Sequence, residues 1–164
     1  MKIIKNLLSN KDLKILKDTI MSEDFPWFYR DTETESKEDG EYFSHNFCRL
    51  TMEGRSHWYY LVEPILPHLN ISSLVFIRAN LCTNKNVPIR SRFHTDTNDP
   101  TATTAIFYVN TNNGMTLIQT PEGNIKSPAE ENKLIIFNSQ TFHQSVRQTD
   151  TKQRIVINFG FYEK

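Results

Sequence analysis

Six short β-rich runs crowd the second half of the chain, and they limit its fold more than any other feature. They are Leu74–Cys82, Thr103–Val109, Met115–Thr120, Lys133–Asn138, His143–Arg147 and Arg154–Phe161. Turn signals separate them at Asn112-Asn113-Gly114, Pro121-Glu122-Gly123 and Thr149-Asp150-Thr151. Many short strands at this spacing point to a sandwich or barrel. The last run adds a direction. Ile155, Ile157, Phe159 and Phe161 make one apolar face, and Arg154, Val156, Asn158 and Gly160 make the other. The apolar face is expected to pack against helices and the mixed face to look into the sandwich.

The first seventy residues read as a flank. Ile3–Leu8 is an apolar lead-in, a strand or the approach to a helix. Ser9 is placed to cap a helix, with Asp12 completing a weaker capping box. Leu13, Leu16 and Ile20 then share one helical face, while Lys14, Lys17 and Asp18 point away. Phe25–Arg30 is strand-like, and Pro26 suits it to a sheet edge. Asp31–Gly40 carries five acids and reads as an exposed loop, with a lid as the alternative. Tyr42–Cys48 returns to strand composition, and His57–Leu69 is expected to be a helix kinked at Pro64 and ended near Pro67. No repeat or linker breaks the 164 residues, so a single domain spanning 1–164 is expected.

Charge and cysteine content narrow the function. Nineteen basic and nineteen acidic residues cancel, which disfavours a general nucleic-acid binder. Cys48 and Cys82 have no paired spacing and read as reduced thiols. No apolar run approaches the roughly 20 residues of a membrane helix. Lysines at 2, 5 and 11 make the start unlike a secretory leader. A cytoplasmic protein is expected (host cytoplasm if viral).

The residues with chemistry to offer are His94, Asp96, His143 and Arg154. His94 and Asp96 are two apart, so on a strand they would project to one side. His143 can join them only if the fold returns its strand beside theirs. Two imidazoles and a carboxylate can hold Fe(II) on three adjacent corners and leave the others open. On this spacing alone, a surface pair with an unrelated packed histidine is an equal reading. Arg154 shifts the balance, because a guanidinium held inside the sandwich needs an anion and no acid lies near it on its own strand. A dicarboxylate would meet that need through a two-pronged contact. His45, His57 and His68 lack a partner at ligand spacing and read as ordinary polar residues.

Taken together, His94-Thr95-Asp96, His143 and Arg154 eleven residues later resemble the Fe(II)/2-oxoglutarate-dependent dioxygenases, and most of all their prolyl-hydroxylase-like branch with its small phage and bacterial members. Arg78-Ala79-Asn80-Leu81, Ile106–Asn110, Gly114-Met115-Thr116 and Arg154–Phe159 are similar to that group as well. The resemblance covers Leu74–Phe161 well and the earlier residues loosely. It implies a mostly β double-stranded β-helix (a jelly-roll) with flanking N-terminal helices. It implies His94, Asp96 and His143 as iron ligands and Arg154 as the partner of the distal carboxylate of 2-oxoglutarate. It also implies O2 as oxidant and hydroxylase activity yielding succinate, with ascorbate as a candidate reductant. The prime substrate is left among a peptidyl proline, a free amino acid or another small molecule. A base-demethylating role is disfavoured because no second arginine follows in Ile155–Phe161.

The chain departs from the branch at one point. Where many members place tyrosines on the strands leading into the HxD motif, this chain offers Leu81 and Ser91, with Asn80 and Tyr108 as the polar candidates for co-substrate contact. Arg90 and Arg92 are candidates for the rim of the mouth. Two other readings remain at this point, a metal-binding jelly-roll without oxidation chemistry and a zinc hydrolase using the same ligands.

Overall fold

The computed structural model describes residues 1–32 and 40–164. The body of the Asp31–Gly40 loop, and with it the lid alternative, lies outside the described residues. Two antiparallel sheets make the molecule mostly β. The larger is built from β1 (Lys2–Lys5), β2 (Phe28–Arg30), β3 (Tyr42–Arg49), β4 (Ile71–Thr83), β5 (Ala102–Tyr108), β8 (Lys133–Asn138) and β10 (Gln153–Glu163). Its strands run in the order β1-β8-β5-β10-β4-β3-β2. The smaller holds β7 (Gly123–Ala129), β6 (Asn112–Thr120) and β9 (His143–Val146), in the order β7-β6-β9. This is the jelly-roll expected of the chain.

Strand β10 lies in the middle of the large sheet and separates two cores, as its alternation requires. Ile155, Ile157, Phe159 and Phe161 join Leu16, Ile20 and Ile65 on the outer face, where the helical flank covers them. Val156 faces the other way and joins Ile106, Tyr108, Ile118, Ile135 and Phe137 between the sheets. The register carries the inward row across the sheet: Asn46 pairs with Arg78, Arg78 with Asn158, and Asn158 with Ile106. The next inward row runs Ser44, Asn80, Val156, Tyr108. Toward β3 and β4 the inner face is therefore polar, a poor core and a natural ligand cavity.

Helix α1 (Asn10–Ile20) starts where expected: Ser9 Oγ accepts from the Asp12 amide at 3.1 Å and donates to Asp12 Oδ2 at 2.7 Å. Leu16 and Ile20 are its buried residues. Asn132 pins its approach, bonding Leu8 N and Leu8 O through its side chain.

Three expectations need correction. His57–Leu69 is not a kinked α-helix but two 3-10 helices, His57–Leu61 and Glu63–His68. Their amides bond three residues back, Val62 to Tyr59 and Ile65 to Val62. Neither Pro64 nor Pro67 has an amide to donate, so an unbroken α ladder through this stretch would lose those bonds. Asn112-Asn113-Gly114 is not a turn but the irregular start of β6, where the register with β7 slips before Met115. Strand β7 was not anticipated. It is exposed over most of its length and contains Pro128, and only a sheet edge tolerates such a sequence. Phe28–Arg30 forms the opposite kind of match, an edge strand as Pro26 indicated.

Candidate metal centre

His94 and Asp96 do not lie on a strand. They occupy an irregular segment held to the opposing strand by isolated antiparallel bridges, Arg90 with Val146 and His94 with His143. The His94 amide donates to His143 O at 3.0 Å, and the His143 amide donates back at 2.9 Å. Two residues on, the Asp96 amide donates to Ser139 O at 3.1 Å. The pairing that aims the side chains thus comes from the opposing strand and its lead-in. The outcome matches the expected convergence by a different route: ligand atoms of His94, Asp96 and His143 all lie within 4.8 Å of one another.

Each of the three is held in a form suited to metal binding. His94 Nδ1 lies 3.1 Å from Arg92 O, and His143 Nδ1 lies 3.0 Å from Thr141 O. A backbone carbonyl only accepts, so both Nδ1 atoms carry hydrogen, which leaves Nε2 as the atom of each ring that can bind a metal. Thr104 Oγ1 donates to Asp96 Oδ2 at 2.6 Å, and Oδ1 faces His143 Nε2 at 3.7 Å. Ser139 Oγ, 2.9 Å from Thr104 Oγ1, steadies that hydroxyl. Adjacent donors on an octahedron with bonds of about 2.1 Å stand roughly 3 Å apart, so modest inward motion would seat an ion. Two imidazoles and one carboxylate, all orientated from behind, fit a divalent first-row metal.

Arg154 stands in the same hollow. A narrow pocket, with a cavity volume of about 20 Å³, is lined by His94, His143, Arg154, Asn80, Thr116 and Asn158 among others. Arg154 is 3 % exposed. Its Nη2 donates to Thr116 Oγ1 at a long 3.4 Å, its Nε has no hydrogen-bond partner, and no described acid forms an ion pair with it. Gly114 makes room for its stem, because a Cβ there would meet Arg154 Cδ at 3.0 Å and Val146 O at 2.8 Å. The slip at the start of β6 is thus the site where the backbone gives way to the arginine.

The two co-substrate candidates part company. Asn80 lines the pocket, and its Oδ1 is buried without a partner. Tyr108 faces inward as its parity indicated, but its hydroxyl donates to Thr116 Oγ1 at 2.8 Å and lies 3.1 Å from Ser127 Oγ. Burial pushes that phenol up from its ordinary range, partly offset by the charge of Arg154, whose guanidinium carbon stands 5.9 Å from the ring. Tyr108 therefore backs the arginine and does not line the pocket. Ser91 is buried and accepts from the Ser145 amide at 3.0 Å, and Leu81 packs on the outer core. Arg90 and Arg92 are exposed and line none of the described pockets; what Arg92 contributes to the centre is its carbonyl.

Sequence reasoning missed Thr104, Thr116, Ser139 and Asn158. Thr104 had a signal, since it shares the inward parity assigned to Tyr108. Asn158 shared the inward face assigned to Arg154, and Thr116 fell in a segment similar to the family; Ser139 had no signal, because hydroxyls are common in any β protein.

No family model and no curated protein matches the sequence. Solved structures do match. A prolyl hydroxylase from Trichoplax adhaerens, in complex with a hypoxia inducible factor oxygen degradation domain peptide fragment, aligns at TM-score 0.69 and 12 % identity, over 99 % of this chain and 83 % of that one. A Pseudomonas putida prolyl-4-hydroxylase aligns at TM-score 0.68 and 13 % identity, over 99 % and 92 %. A 2OG-Fe(II) oxygenase family oxidoreductase from Burkholderia pseudomallei aligns at TM-score 0.71 and 8 % identity, over 98 % and 84 %. At such identities the likeness is one of fold, and the fold of this chain is that of the prolyl hydroxylases and other 2-oxoglutarate–Fe(II) oxygenases.

Proposed function

We infer that the chain, acting as one domain over 1–164, is an Fe(II)- and 2-oxoglutarate-dependent dioxygenase, a hydroxylase of substrate C–H bonds. The observation that carries this reading is the buried guanidinium of Arg154, without an acid partner, in the same pocket as the converging His94, Asp96 and His143. A non-catalytic metal module has no use for such a cation. In this reading His94, Asp96 and His143 would hold the iron, and Arg154 would hold the distal carboxylate of 2-oxoglutarate. Asn80 lies within the same cavity and orients the co-substrate, while Tyr108 and Thr116 fix the arginine.

The bound iron supplies activation of O2. One oxygen atom ends in succinate as carbon dioxide leaves, and the other enters the substrate C–H bond, so the keto acid and the substrate each give two electrons. The protein's own part is to hold the donors on one side, keep Arg154 dry and leave the remaining corners open.

Incubation with Fe(II), ascorbate and 2-oxoglutarate tests this directly. Succinate should accumulate above the enzyme-free background and fall to that background in His94→Ala and in Asp96→Ala. Metal binding with no succinate, across peptides, free amino acids and small acids as substrates, would support the metal-binding module instead.

A further inference from the structure

A second cationic hollow opens beside the metal centre, on the side away from Arg154. It is lined by Asn46, Arg49, Phe76, Arg78 and Asp96, with a cavity volume of about 160 Å³. Arg154 pairs in register with Cys82, four residues along β4 from Arg78. At about 3.3 Å per residue the two backbone positions stand roughly 13 Å apart on the same inward face. His94 and His143 line the hollow that holds Arg154, and Asp96 lines the one that holds Arg78. The three donors thus bridge two cavities, each with its own guanidinium.

Arg78 is as short of partners as Arg154. Its Nε is buried without a hydrogen-bond acceptor, it makes no ion pair among the described residues, and its one described contact is the Phe76 ring, 5.9 Å from its guanidinium carbon. Asp96, the acid in this hollow, is committed to Thr104 on one oxygen and to the metal-facing side on the other. The side edge of a guanidinium, Nε with Nη, is the one that matches a carboxylate in two parallel bonds. Asn46 Oδ1 is also buried and unbonded, within reach of a substrate N–H or O–H donor. Arg49, exposed at the end of β3, adds a second positive charge at the mouth.

We propose that this hollow is the prime-substrate site and that it takes a small carboxylic acid. Arg78 grips the substrate carboxylate, Arg49 steers it in, and Phe76 covers its apolar side. The proposal rests on the oxygenase reading, and it selects among the substrates of that reading: a free amino acid or similar small acid, not an internal peptide residue.

The test is an NMR titration of protein loaded with zinc and N-oxalylglycine, an inert metal with a non-reacting mimic of 2-oxoglutarate. The probes are the common free amino acids, their primary amides and inorganic phosphate. At least one acid should bind, and its amide at least tenfold more weakly. Arg78→Gln should weaken the acid at least tenfold, the loss expected of a charge-assisted pair. Arg49→Ala, an exposed change that leaves the fold alone, should weaken it severalfold. N-oxalylglycine affinity should be unchanged in both variants. An amide that binds as well as its acid, an Arg78→Gln protein that keeps full affinity, phosphate outcompeting every acid, or no binding by any acid would each overturn the proposal. If zinc and N-oxalylglycine fail to load, the oxygenase reading itself fails, and the same titration on metal-free protein still decides whether Arg78 binds carboxylates.

Discussion

Thr104 holds Asp96, a residue of the proposed metal site, by a single hydroxyl. By donating to Asp96 Oδ2 it turns Oδ1 toward His143, and Ser139 keeps the hydroxyl from rotating away. Partners of this kind typically account for 10- to 100-fold of metal affinity, on the order of 1.4 to 2.7 kcal/mol. Thr104→Val removes the hydroxyl with little change of shape in a position that is fully buried. It should lower Fe(II) affinity by about 10- to 100-fold in anaerobic competition with a chelator, with the far-UV spectrum retained. Affinity equal to wild type would show that Asp96 needs no support. His94, Asp96, His143 and Arg154 were legible from sequence as candidates, since histidine, aspartate and arginine carry specific chemistry. Their supports were not. A threonine on a strand announces nothing until the register shows what lies opposite.

Elements were readable where their pattern was strong and misread where a local constraint overrode it. The alternation of β10 gave both its faces, and the outer and inner cores follow it residue by residue. The HxD segment proved irregular, because bonds to His143 and Ser139 aim its side chains without a strand of its own. Strand β3 offers a test of a residue that has nothing to do with the metal. His45 is buried among Phe25, Phe28 and Phe47, its ring bonded to Pro26 O and Ser56 Oγ. Burial holds its pKa below the ordinary 6.5. The unfolded chain then takes up the proton first as pH falls. Stability is therefore full above about pH 6.5 and declines as pH drops through the window between the two pKa values. The melting temperature of wild type should fall more steeply below pH 6.5 than that of His45→Gln. Parallel slopes would mean the imidazole is protonated at no cost where it sits.

At the scale of the molecule, a neutral chain places its charges unevenly. Among the described residues, surface charges pair, as Lys5 with Glu130 and Lys17 with Glu131 do, whereas half-buried Arg78 and buried Arg154 face inward without an ion pair. A buried cation without an ion pair, as Arg154 is, costs stability, and a fold keeps it where a ligand offsets that cost. The central claim is that iron and 2-oxoglutarate share one site, each incomplete without the other. Calorimetric titration of 2-oxoglutarate under argon measures that coupling directly. With Fe(II) present the wild-type protein should bind one equivalent, and without metal its affinity should fall at least tenfold. Arg154→Ala should weaken the keto acid at least tenfold while keeping iron, and His143→Ala should lose tight binding of both. Binding of 2-oxoglutarate that is indifferent to iron, or undiminished in Arg154→Ala, would contradict the account.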